Sequence, residues 1–251
     1  MAMRSGAGQS AQSEYERRLH SWRTTARRRF LRGLPFVIVA AALLEWWVGW
    51  QTTGVPLYGH VTALAVIVAW CTFLAAPRHV TAWRAGAEGE RKTARTLVPL
   101  ARRGAIVLHD RAIPGSRANL DHLAIGHWGI AYIDTKNWQA KGAHVSISRD
   151  GSTLWYGRYP QNKTVSTTKW EAERATAALC RPLDGIPVHI QPVIAVHGAK
   201  VGRRGVLAFD GVIILEAHRL AAHLRRQRPV LSPDQITQIG EITNHALPPK
   251  Q

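Results

Sequence analysis

The sequence predicts a basic α/β domain built on a mixed sheet, preceded by an apolar helical hairpin that forms two transmembrane helices. Three observations lead there. The long apolar runs are concentrated in residues 34–77, although apolar content over the whole chain is an ordinary 46%. Beyond that region, short apolar strands alternate with segments of helical period. The order of those segments, a helix, a three-strand meander, a hairpin and then alternating helices and strands, is that of a sheet covered by helices.

The net charge is +17, from 33 Lys and Arg against 16 Asp and Glu. Residues 1–77 contribute eight Arg and three Glu, or +5, and residues 78–251 contribute the other +12. A domain this basic favours polyanions or an anionic membrane surface. An Arg-rich composition also accompanies a GC-rich genome, so charge alone assigns no partner. Two cysteines, Cys71 and Cys180, exclude a disulfide-stapled scaffold and lack metal-ligand spacing. They point to a reducing compartment for the soluble part.

The first apolar run, residues 34–50, is interrupted by Glu45 and would rise roughly 26 Å as a helix. The second, residues 55–77, is long enough to span a bilayer. A polar turn at 51–54 separates them, with Trp46, Trp47, Trp50 and Tyr58 around it, as an interfacial aromatic belt would sit. Arg23, Arg27, Arg28, Arg29 and Arg32 precede the hairpin, and Arg78, His79 and Arg84 follow it. The positive-inside rule therefore places both termini in the cytoplasm and the chain in the cell (inner) membrane. The stretch from Glu14 to Arg32 reads as a basic helix suited to anionic lipid. A buried helical hairpin of a soluble protein has the same apolar pattern. Glu45 fits either a functional intramembrane acid or one that reaches the headgroups. The segments are thus 1–32 (basic N-terminal segment), 33–77 (hairpin), 80–228 (soluble domain) and 229–251 (C-terminal helix and tail).

In the soluble part, Ala94, Leu97, Val98 and Ala101 recur at helical spacing, which predicts a helix from Thr81 to Ala101. Strands are predicted at 105–110, 119–126 and 130–138. The alternation in 119–126 puts Leu120, His122 and Ala124 on one face and Asp121, Leu123 and Ile125 on the other. Residues 144–156 read as a hairpin turning at Asp150-Gly151. A helix from Ser166 to Cys180, capped by Ser166 or Thr167, precedes strands at 189–198 and 211–215. Helices at 216–225 and 233–246 complete the order.

Four polar residues stand where packing alone does not ask for them. Asp121 shares a strand face with Leu123 and Ile125. Asp134 and Lys136, two apart at the end of an apolar strand, share one face. Glu90 follows Gly86 and Gly89, which permit close backbone approach. Two carboxylates on adjacent strands with a lysine beside them can hold a hard cation such as Mg²⁺, completed by waters and phosphate oxygens. Such an ion polarises a phosphoryl group and acidifies a bound water, while the ammonium stabilises developing charge. Asp121 and Asp134 should then lie within about 6 Å of each other, with Lys136 in the same cleft.

The wider sequence is more specific. GAEGERKTARTL at 86–97 and VLHDRAIPGSRANLDHLAIGHWGIAYIDTKNW at 107–138 resemble the nuclease-related domain, NERD, of the PD-(D/E)xK nuclease-like superfamily, with the likeness running from about Trp83 to Leu215. The resemblance implies a restriction-endonuclease-like fold and a metal-dependent phosphodiesterase or endonuclease acting on DNA with Mg²⁺ or Mn²⁺. It implies catalytic roles for Glu90, Asp121, Asp134 and Lys136, with Asp121 and Asp134 on the metal. Asp134 stands where the motif often has Glu. The family's Gln after the hairpin has no clear counterpart in STTKWEAERA at 166–175, where Lys169 or Glu171 are the candidates to replace it.

Plainer roles remain open for each residue. Asp121 also suits a turn cap, Asp134 with Lys136 an ion pair, and Glu88 competes with Glu90. His109, His122 and His127 differ in context and read as packing or exposed residues. Asn137, Lys169, Arg203 and Arg204 are candidates for substrate contact. The alternatives to a nuclease are a non-cleaving nucleic-acid-binding module and a membrane scaffold, because fold alone does not decide activity.

Overall fold

A computed structural model describes residues 6–51, 57–73, 76–140, 142–180, 182–183 and 189–250. The expected turn at 52–54 and the side chains of Tyr58 and Arg78 lie outside the described residues. The chain divides into two units, one of residues 13–83 and one of residues 84–251 together with 6–12.

The first unit holds most of α1 (Gln9–Gln51) and all of α2 (Leu57–Phe73). The expected basic helix and the first apolar run form one continuous helix, with Pro35 inside it. α1 and α2 meet closely where Gly33 faces Trp70, since a Cβ on Gly33 would lie 2.5 Å from the indole ring. Glu45 is paired with His60 Nδ1 at 2.8 Å. Among the described residues one helix, Gln9–Trp47, is long and apolar enough to cross a membrane by length and composition. α2 has 17 described residues, so among the described residues one of the two expected spans meets that length.

The second unit carries α3 (Arg78–Ala101) from Arg84 onward, followed by β1 (Ile106–Ala112), β2 (Asn119–Gly126) and β3 (Gly129–Asn137). A hairpin of β4 (His144–Ile147) and β5 (Leu154–Tyr156) comes next, with the short β6 (Tyr159–Pro160). Then come α4 (Asn162–Cys180), β7 (Ile190–His197), β8 (Lys200–Val201), β9 (Val206–Phe209) and β10 (Val212–Glu216). A 3₁₀ turn at Ala217–Arg219 leads into α5 (Leu220–Arg225), and α6 (Pro233–Ala246) ends the fold. α4 begins four residues before the expected start, so Ser166 and Thr167 are interior helical residues rather than caps.

The mixed sheet has the order β1-β2-β3-β7-β10-β9. β1, β2 and β3 form an antiparallel meander, and β7 lies parallel to both β3 and β10. One face of the sheet packs Leu123, Ile125, Ile130 and Tyr132 against Ala172, Ala175 and Leu179 of α4 and Ile236 and Ile239 of α6. The other packs Ala124, Ala131, Ile133 and Val193 against Leu97 and Leu100 of α3 and Leu220 and Leu224 of α5. A second sheet, β6-β5-β4-β8, adds Val145, Leu154 and Val201 to a third cluster with Ile194, Val196 and Ile214. Leu120 departs from the expected alternation and packs with Leu123 and Ile125. Here the β1–β2 pairing skips from His109–His122 to Arg111–Leu120, and Asp110, between His109 and Arg111, has φ 50°, which breaks the regular pleat.

The segment from 229 onward belongs to this same core. Buried Arg111 donates to the carbonyls of Leu247 and Asn244 at 2.6 and 2.9 Å. α6 starts at a capping box in which Ser232 accepts from the Gln235 amide and the Gln235 side chain accepts from the Ser232 amide.

Candidate active site

Strand register brings the two aspartates together. β2 and β3 pair His122 with Ile133, so the next position sets Asp121 opposite Asp134, and residues directly opposite in an antiparallel pair share a face. Asp121 Oδ2 accepts from the amide of Thr135 at 2.9 Å, one peptide beyond Asp134. Lys136 Nζ donates to Asp134 Oδ1 at 2.7 Å, and Thr168 Oγ1 of α4 donates to Asp134 Oδ2 at 2.8 Å. Both oxygens of this buried carboxylate are therefore held, one by an ammonium and one by a hydroxyl.

Glu90 enters from α3, which approaches β3 through Gly89. A Cβ at Gly89 would meet Asn137 Cβ at 3.0 Å and Thr135 Cγ2 at 3.2 Å, whereas one at Gly86 would meet nothing within 4 Å. The close approach thus needs Gly89 alone. Glu90 is 8% exposed, and its Oε2 is buried with no hydrogen-bond partner. Glu88 is exposed and paired with Lys92 at 2.7 Å, so of these two acids it is Glu90 that is buried against the sheet.

The electrostatics join these groups. Burial first, then the charges of Asp110 and Asp134, push Glu90 up to about 7, against the opposing pull of Lys136. Burial, Glu90 and Asp134 raise Asp121 well above the usual carboxylate range. Burial opposes the charge on Lys136, but Asp134 and Asp121 outweigh it and hold the ammonium above its ordinary value. Glu90, Asp121, Asp134 and Lys136 therefore form one interacting cluster.

Three further residues were not legible as site residues. Asp110, 4% exposed and in the left-handed region at φ 50°, accepts from Asn119 Nδ2 at 2.9 Å and from the Ser10 amide at 2.7 Å. A strained non-glycine backbone of this kind concentrates at functional sites. Its one sequence signal is an acid at the end of an apolar strand, the same signal that Asp134 gives. Thr168 was hidden within a polar helix. Tyr132, in the middle of an apolar strand, donates its hydroxyl to Glu171 Oε2 at 2.7 Å. Burial, then Asp134, push Glu171 up to about 7, with the Tyr132 hydrogen bond and Lys136 opposing. Of the two candidates on α4 for the far side of the site, Glu171 is the one that faces it.

The remaining candidates do not join the cluster. Lys169 pairs with Asp210 at 2.9 Å. Asn137 ties β3 to α3, donating to the carbonyl of Ala85 at 2.6 Å. Arg203 and Arg204 are exposed in the turn between β8 and β9. His109 and His122 share a 2.6 Å contact between their Nδ1 atoms, with His122 fully buried. Among the described residues no group of three or more His, Cys, Asp and Glu side chains stands ready to hold a metal ion. Asp134 explains part of this, because its oxygens are taken up by Lys136 and Thr168. The donor chemistry still fits a hard divalent cation. Three all-oxygen carboxylates crowd one another, and the orphaned Glu90 Oε2 lies among them, a combination that a divalent charge relieves.

The domain is thus a mixed sheet flanked by helices, with an acid–acid–lysine cluster where α3 meets β2 and β3. Residues 85–197 match the family model described as nuclease-related domain, NERD, and this part of the chain is a nuclease-related domain. No curated protein matches the chain, and no solved structure does.

Proposed function

We propose that the chain is a membrane-anchored nuclease whose nuclease-related domain hydrolyses the phosphodiesters of DNA with Mg²⁺ or Mn²⁺. The observation that carries this reading is the convergence of Glu90, Asp121, Asp134 and Lys136 on one cluster. The +12 charge of residues 78–251 fits a polyanionic substrate. Asp121 and Asp134 are the residues that would hold the cation, with the free Glu90 oxygen beside them. The cation would supply Lewis acidity toward the phosphoryl oxygen and a more acidic water.

The chain's own groups do the rest. The Lys136 ammonium stays charged beside Asp134 and offsets negative charge developing on phosphate. Thr168 fixes the Asp134 carboxylate, and Thr135 fixes that of Asp121. Glu90, at about 7, exchanges a proton near neutrality, which suits a general base or acid acting on a nearby water. Asn137, Lys169, Arg203 and Arg204 have lesser roles in this reading. They contribute positive or polar surface at most, outside the cluster.

α1 and α2 form a two-span anchor in the cell (inner) membrane, with both termini and the nuclease-related domain in the cytoplasm. The flanking Arg23, Arg27, Arg28 and Arg32 support that orientation and contact with anionic lipid. The test uses the full chain in neutral detergent with Mg²⁺ or Mn²⁺ and single- and double-stranded DNA and RNA. Cleavage of DNA is expected, reduced roughly 100-fold or more by Asp134→Ala or Lys136→Ala. No cleavage above those variants would overturn the reading. Salt-dependent binding that survives Asp121→Ala and Asp134→Ala would assign a non-cleaving nucleic-acid-binding module instead.

A further inference from the structure

The acid cluster is shut in the structure. Asp110, Asp134 and Glu90 are 4, 5 and 8% exposed, although a polymer phosphate and the waters of a cation have to reach such carboxylates. Part of the cover comes from the far end of the chain. Residues 6–12 belong to the same compact unit as residues 84–251, and Gly8 and Ala11 are buried in it. The segment presses on α3 one turn before Glu90. Gly8 has φ 72°, and a Cβ on it would lie 2.9 Å from the carbonyl oxygen of Ala87. Only glycine meets both demands.

Two acids receive this segment. The Ser10 amide donates to Asp110 Oδ2 at 2.7 Å, and Asn119 Nδ2 donates to Asp110 Oδ1 at 2.9 Å and to Ser10 Oγ at 3.3 Å. The Gly8 amide faces the Glu90 carboxyl and favours its charged form. Both amides stand at the start of α1, where backbone N–H groups lack helical partners and carry the positive end of the helix dipole. The helix end therefore supplies counter-charge that a divalent cation would also supply. It does so incompletely. Glu90 Oε2 stays buried with no hydrogen-bond partner, and a buried acceptor left so is costlier than a hydrated one. Asp110 keeps its left-handed φ of 50°, a strain that persists only while the surroundings fix it. Opening would relieve both.

We propose that residues 6–12 are an autoinhibitory strap, latched on Asp110, that closes the acid cluster, and that the cluster takes up a divalent cation with the strap lifted. The inference rests on the nuclease reading, in which Asp121 and Asp134 hold that cation. Strap and cation are alternative partners of one negative cluster. Each therefore weakens the other by the same factor, as linkage requires. Cation uptake lifts the strap, hydrates Glu90 Oε2 and opens a path for a phosphate.

The test is hydrogen exchange of the full chain in neutral detergent, read by mass spectrometry on peptides spanning residues 6–12. It needs no cleavage assay. Mn²⁺ should speed exchange there about tenfold and leave the capping box of α6 within about twofold. Gly8→Ala, which sets a methyl against the Ala87 carbonyl, should speed exchange of the same peptides without metal. It should also tighten Mn²⁺ binding about tenfold by calorimetry. Asn119→Ala, which loosens the latch, should move both quantities the same way. A gain in affinity is not something misfolding produces, and the wild-type exchange decides the case whatever either variant does to folding. Exchange that Mn²⁺ leaves unchanged or slows would overturn the proposal. So would a variant whose strap exchanges fast while its Mn²⁺ affinity is unchanged or weaker. Mn²⁺ binding that is absent from the wild type, or undiminished in Asp121→Ala/Asp134→Ala, overturns the cation site and the strap together. Binding that is lost in that double variant, with no effect on residues 6–12, overturns the strap alone.

Discussion

Glu90→Gln should remove a pH dependence that the acid cluster builds into the stability of the nuclease-related domain. The carboxyl is 8% exposed and is pushed from 4.5 up to about 7 by burial, Asp110 and Asp134. A carboxyl whose folded value is raised binds more protons in the folded state between those two values, so its contribution is fully present below 4.5 and is lost as pH rises through 7. At 1.36 kcal/mol per unit, the loss is about 3 kcal/mol. The raw profile of the wild type mixes this with opposite slopes. Burial lowers His109 to about 4 and lowers His122 well below its ordinary value, and those groups destabilise the fold as pH falls. The difference between wild type and Glu90→Gln largely cancels the histidines and leaves the Glu90 carboxyl together with the part of the Asp121 shift that its charge causes. Urea unfolding of the metal-free full chain in neutral detergent, followed by near-ultraviolet circular dichroism at steps from pH 4.5 to 8, measures it. The variant should gain on the wild type by about 3 kcal/mol across that range, and Mn²⁺ at pH 8 should narrow the gap. A difference that stays flat with pH would show that Glu90 is not confined among the acids, and the reasoning would fail.

Other perturbations probe the supports of the site. Thr168→Val keeps the shape but removes the hydroxyl that holds Asp134 Oδ2, and should cost about 1.5–3 kcal/mol in the same unfolding assay. Gly89→Ala drives a Cβ to 3.0 Å from Asn137 Cβ and should cost roughly 1–3 kcal/mol. Gly86→Ala, with open space around the new methyl, should stabilise the helix by up to about 1 kcal/mol. Equal effects of the two glycine changes would contradict the packing of α3 against β3.

Much of the domain was legible because its elements follow simple periods. β2 matched its expected bounds, and β3 and β7 came within a residue or so, because they are apolar strands bounded by turns. Asp121, Asp134 and Lys136 stood out because polar side chains interrupt apolar strand faces. β6, β8 and β9 were missed because strands of two to four residues carry too few alternations and are held by distant partners. Asp110 was missed for a different reason. Its left-handed backbone is stabilised by Asn119 and by the Ser10 amide, and a contact spanning a hundred residues leaves no local pattern. The start of α4 was misplaced because Ser166 and Thr167 read as capping residues, yet both sit inside the helix, beside Thr168, which turns its hydroxyl toward Asp134. The basic helix ending at Arg32 and the apolar run from Leu34 were likewise read as separate segments, whereas α1 runs through both.

Anomalous scattering from crystals of the full chain soaked in Mn²⁺ tests the carboxylate cluster most directly as a divalent-cation site. A single strong peak should appear at about 2.1 Å from oxygens of both Asp121 and Asp134, near Glu90, and should vanish in Asp134→Ala. An unoccupied cluster, or manganese bound only at other sites, would contradict the assignment of these residues as a nuclease centre.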